Sequence, residues 1–127
     1  MEIRINDLVQ TTLAQAKLFL QDADEFYPFG TILTKENELK PCGVFLEEEN
    51  PSSSQIFKLL ESYVLDKLAK KECMAAVICL DVLINSDIPK PALDIRIYHQ
   101  DIPELQHIFF LYTKEEGAYS FKQVSDL

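Results

Sequence analysis

The stretch that most constrains this chain is Met74 to Ile84, MAAVICLDVLI, its longest apolar run, broken by a single charge at Asp81. Val77, Ile78, Val82 and Ile84 are β-branched. Such side chains fit a pleated surface better than a helix. The run is also short, so length and composition together predict a strand. Its even positions, Met74 through Ile84, are all apolar. Its odd positions are smaller and include Asp81. Side chains alternate between the faces of a strand. The pattern therefore predicts an interior strand of an antiparallel sheet, apolar beneath helices and wet on its back.

The flanking sequence supplies those helices. Asn6 and Asp7 suit the cap of a helix reaching about Asp24, with Leu8, Val9, Leu13, Ala16 and Leu20 at helical spacing. Pro28 in the segment Glu25–Gly30, EFYPFG, keeps Tyr27 out of helical geometry, so the helix has ended. The three aromatics there read as an anchor for the helix or as a lip beside a pocket. Gly30 lets a neighbouring backbone pass close by. Thr31–Thr34 and Glu38–Glu47 form a predicted hairpin, its second arm interrupted by Pro41 and Gly43 and resumed at Val44, Phe45 and Leu46. A second helix opens at Asn50 and Pro51, or is capped by Ser53 or Ser54. Its stripe is Ile56, Phe57, Leu60, Tyr63, Val64 and Leu68.

After the central run, Asn85–Pro91 is a turn region. Leu93, Ile95 and Ile97 then alternate with Asp94, Arg96 and Tyr98, as a half-exposed strand does. Asp101–Glu104 turns the chain, His107–Thr113 is another strand, and Ala118–Lys122 pairs back at an edge before a fraying tail. The order α-β-β-α-β-β-β, with a last β, predicts an α+β fold: a single antiparallel sheet of five to six strands, with two helices on one face.

The 127 residues suit one domain, 1–127. Apolar residues make up 47% and charged ones 26%, which is a globular rather than a disordered balance. No apolar run approaches the ~20 residues of a membrane helix, and the start lacks a basic segment leading into an apolar one. A cytoplasmic chain is expected. Cys42, Cys73 and Cys79 contain no close pair, which points to free thiols rather than a metal site. The net charge of −9 disfavours nucleic acid and suits a basic protein partner. There is no Gly-rich strand-to-helix turn, hence no phosphate loop and no dinucleotide cofactor is expected.

The EFYPFG segment after the first helix resembles a family of small uncharacterised bacterial proteins in which a hairpin, a helix and further strands follow. Asp94–Ile97, DIRI, is similar to that family's acidic strand position. The element order is also similar to roadblock and profilin-like layouts, which implies a binding module more than an enzyme.

Chemistry, if present, belongs on the open sheet face. Asp94, Arg96 and Tyr98 share one face of their strand, and Asp81 is expected across from one of them. A carboxylate, a guanidinium and a phenol together suit an anion or a polar ligand, with Tyr27 contributing from the aromatic lip. Cross-strand pairing on a wet surface is the plainer reading. His99 and His107, near Asp101, suggest a metal or acid–base site, or simply local hydrogen bonds near a turn. No nucleophile with a base emerges, so catalysis is not expected. Two functions remain: a small acidic protein-interaction module of immunity, inhibitor or regulatory type, and a small-ligand sensor using Asp81, Asp94, Arg96, Tyr98 and Tyr27. A homodimer through the edge at Ala118–Lys122 is a further expectation.

Overall fold

The apolar run forms β3 (Cys73–Ile84), and the sheet is assembled outward from it on both sides. A computed structural model describes residues 4–44, 51–84, 87–100 and 102–124, and at 102–105 the backbone only. The other elements are α1 (Ile5–Ala23), β1 (Phe29–Thr34), β2 (Leu39–Cys42), α2 (Ser53–Ala69), β4 (Lys90–His99), β5 (Ile102–Glu115) and β6 (Ala118–Val124). They build an α+β fold with one six-stranded sheet in the order β2-β1-β3-β4-β5-β6, every neighbouring pair antiparallel. No described helix is long and apolar enough to cross a membrane.

The two helices do not share a face, contrary to the sequence expectation. On one side Leu8, Leu13 and Ala16 of α1 pack with Leu33, Val77 and Ile95. On the other, Leu60 and Val64 of α2 pack with Ile32, Ala76 and Ile78. The reason lies in β3. From Ala75 to Cys79 both its odd and its even side chains are buried, so each face needs its own cover. Val77 and Cys79 make the odd face apolar enough to accept a helix. Connectivity acts in the same sense. Strands β2 and β3 are both antiparallel to β1, hence parallel to each other, and α2 is the crossover between them. Strand β4 is accordingly buried on both faces from Ala92 to Ile95, not half-exposed.

Helix α1 begins earlier than expected. Asn6 and Asp7 lie in its first turn, and Arg4 at the cap position makes no side-chain cap. Arg4 instead binds Asp7 at 2.7 Å and the Asn37 carbonyl at 3.0 Å, tying the helix start to the β1–β2 hairpin. Inside, Thr12 donates to the Leu8 carbonyl and meets the Thr31 hydroxyl at 2.9 Å, so its buried oxygen is satisfied.

The EFYPFG segment is an anchor. Phe26 and Phe29 pack with Phe19 of α1 at centroid separations of 4.9–6.2 Å. Gly30 sits where β1 runs tight against β3: a Cβ there would lie 2.4 Å from the Val77 carbonyl oxygen. Helix α2 is capped by Ser52, which accepts from the Gln55 amide at 3.0 Å. Asn50 lies outside the described residues, as do Phe45 and Leu46. Strand β2 ends at Cys42, so Val44 does not resume it. The loop before β6 is a two-residue turn, Glu116-Gly117, with positive φ at both positions. That geometry matches the twist of the flanking strands.

Candidate functional site

Alternation along β4 sends Asp94, Arg96 and Tyr98 to the α2 side of the sheet. Register then decides who meets them. Arg96 stands opposite His107 of β5, and Asp94 opposite Phe109. The Asp94 side chain is only 6% exposed, and each of its oxygens has a partner. Oδ2 accepts from Arg96 Nε at 3.1 Å, and Oδ1 meets His107 Nδ1 at 2.9 Å. A carboxylate can only accept, so Nδ1 carries the proton and Nε2 becomes the atom directed away from Asp94. The guanidinium lies 4.6 Å from the Phe57 ring of α2, a cation–π contact. The His107 imidazole stacks on Phe109, ring planes 5° apart and centroids 5.8 Å apart.

Tyr98 extends the cluster to the helix by donating to Glu61. Burial, and then the bond to the Glu61 carboxylate, push the Tyr98 phenol far above its ordinary value. It is therefore a donor throughout the physiological range. The whole arrangement runs from Glu61 on α2, through Tyr98, Arg96 and Asp94 on β4, to His107 on β5. Among the described residues, no buried side-chain nitrogen or oxygen is left without a partner. The arrangement presents the Nε2 edge of a histidine and part of a guanidinium beside two aromatic rings.

The other expected site residues lie elsewhere. Asp81 pairs in register with Leu93, which puts it on the α1 side, away from Asp94. There it accepts from the Tyr112 hydroxyl at 2.7 Å. Burial raises the Asp81 carboxyl above its usual range, against the lowering effect of Tyr112. The register explains the miss: odd positions of β3 meet odd positions of β4, and Asp94 is even. Tyr27 turns outward, 48% exposed, and borders a groove of about 440 Å³ with Phe26, Glu25 and Ser53. His99 and His107 also separate. His99 pairs with Ala75 on the α1 side, whereas His107 faces α2. Asp101 is outside the described residues. Among the described residues, no three His, Cys, Asp or Glu side chains are grouped as a metal centre needs.

His107, Phe57 and Glu61 complete the cluster without having been assigned to it from sequence. Only the β4–β5 register joins His107 to Asp94, and only the placement of α2 brings Phe57 and Glu61 over β4. The three thiols are free. Burial pushes Cys42 up to about 12 and Cys79 well above its ordinary value, which leaves both poor nucleophiles at neutral pH.

Beside the cluster the α2 side is not closed by its helix, which packs on β1, β3 and β4. Two cross-strand rows continue past it. One runs Leu80, Asp94, Phe109, Val124; the next runs Val82, Ala92, Leu111, Lys122. Leu80, Val82, Phe109, Leu111 and Val124 are all half-buried. Except for Leu80, they belong to neither core cluster. Compared with known proteins, the chain matches no family model, no curated protein and no solved structure.

Proposed function

We propose that this chain is a protein-interaction module that takes its partner on the α2 side of β4, β5 and β6. The observation that carries the reading is the half-exposed apolar patch of Val82 on β3, Phe109 and Leu111 on β5 and Val124 on β6, drawn from two adjacent cross-strand rows. An apolar surface of this kind, rimmed by polar groups, is what a docking site offers. Arg96 and His107 form part of that rim, held rigid by buried Asp94. Rigid polar groups at a rim fix the orientation of a partner at little entropic cost.

The net charge of −9 steers a partner of basic overall charge, because attraction acts over a Debye length before contact. Apolar contact then holds it. Salt should accordingly slow association and leave dissociation nearly unchanged. The test is capture from a lysate of the source organism by the wild-type chain and by Leu111→Asp, both checked for an unchanged melting temperature. Retention of one protein by wild type and its loss in Leu111→Asp supports the reading. Equal capture by both chains, or by neither, overturns it.

A further inference from the structure

The two edges of the sheet are built differently. Strand β2 is four residues long and contains Pro41, which cannot donate to a ladder. Strand β6 is seven residues long, has neither Pro nor Gly, and pairs with β5 at every position without a register shift. On its other side no described strand lies beside it. A straight, regular edge of this length is a template for another strand, and the usual safeguards are short length, proline, bulges and inward charge. Only Lys122 stands as a guard on β6.

We propose that two copies of the chain join through β6, antiparallel about a two-fold axis at Phe121, to make one continuous sheet. Full overlap of Ala118–Val124 sets Phe121 opposite its own copy and Lys122 opposite Ser120. Gln123 then faces Tyr119, and Val124 faces Ala118. No like charges meet in this register. Placing the axis at Lys122 would set two ammonium groups against each other, which is destabilising. Placing it at Ser120 would shorten the overlap. The strand is thus complementary to itself in its longest pairing, as an isologous contact requires.

The surroundings fit the same occupant. Between α1 and the last two strands runs an open groove of about 510 Å³, lined by Gln10, Ala14, Lys17, Tyr119 and Phe121. The second copy brings its own Phe121 to the mouth of this groove, on the same side of the sheet. On the α2 side, Val124 at the end of its half-exposed row packs against Ala118 of the second copy. The dimer rests on the backbone edge of β6 and shares only Val124 with the docking surface, so either can fail alone.

Sedimentation velocity across a wide concentration range tests this, using wild type, Ser120→Lys, Lys122→Glu, and the double variant. Wild type should approach twice its 14.6 kDa mass at high micromolar concentration. Ser120→Lys, which opposes Lys122 of the second copy twice, should be monomeric with its circular dichroism melt retained. Lys122→Glu should still dimerise, and adding it to Ser120→Lys should restore dimerisation through two ion pairs. A wild type that stays monomeric throughout, a Ser120→Lys variant that dimerises as well as wild type, or a double variant that stays monomeric would each overturn the proposal.

Discussion

Gly30→Ala probes the centre of the fold most directly. Gly30 is flanked on both sides, by Cys42 of β2 and Ile78 of β3. The added methyl would lie 2.4 Å from the Val77 carbonyl oxygen, whereas ordinary contact begins near 3.4 Å. Backbone cannot swing aside as a side chain can, so β1 and β3 must part by about an ångström. Overpacking of this kind costs about 1–3 kcal/mol. Stretching a neighbouring ladder hydrogen bond adds about 1 kcal/mol. A total near 3 kcal/mol follows as the working value from these two terms. With an unfolding entropy of about 2.1 cal/mol/K per residue, that cost lowers the melting temperature by about 11 °C. Gly43→Ala is the internal control, because nothing lies within 4 Å of a Cβ there. Its melt should match wild type. Calorimetry or circular dichroism reads both. A Gly30→Ala fall no larger than that of Gly43→Ala would refute the tight β1–β3 approach.

Three further outcomes are expected. Arg96→Met keeps the stem but removes the guanidinium from Asp94 and Phe57; losing a charge-assisted bond and a cation–π contact should cost about 2–4 kcal/mol in chemical denaturation. Adding Asp94→Asn should recover part of that loss, since the buried charge left behind is then gone, and no recovery would argue against coupling. Lys71 closes α2 at φ 58°, with the Lys71 amide bonded to the Leu68 carbonyl and the Glu72 amide to the Lys67 carbonyl. Lys71→Gly should therefore stabilise by about 0.5–1 kcal/mol, read as a rise in melting temperature. The folded Asp81 carboxyl titrates above its ordinary 3.8, so ionisation weakens the fold and stability falls as pH rises through that raised value. Asp81→Asn cannot ionise; it should melt above wild type at pH 7 and lose the advantage below the ordinary carboxylate range.

Alternation within a strand was legible from the chain; the relation between strands was not. Leu93, Ile95 and Ile97 against Asp94, Arg96 and Tyr98 told which side chains share a face, because the strand period is a local property. Even the close approach at Gly30 was readable, since a glycine inside a strand has few other uses. What the alternation of β3 could not tell is which face each helix would cover. Period two labels two faces without saying what lies on them, and Val77 and Cys79 are as buried as Ala76 and Ile78. The missing term was strand order. Once β1 lies between β2 and β3, the latter two run parallel, and α2 becomes a crossover whose side is set by handedness. The opposite face then falls to α1. The same gap explains the cluster. Asp94 and His107 are 13 residues apart, and only the pairing of Arg96 with His107 makes them neighbours. Asp81, one residue off in parity, went to the other side for want of that register. Local periodicity therefore finds the side chains that act together on one strand, and register decides the partners they act with on the next.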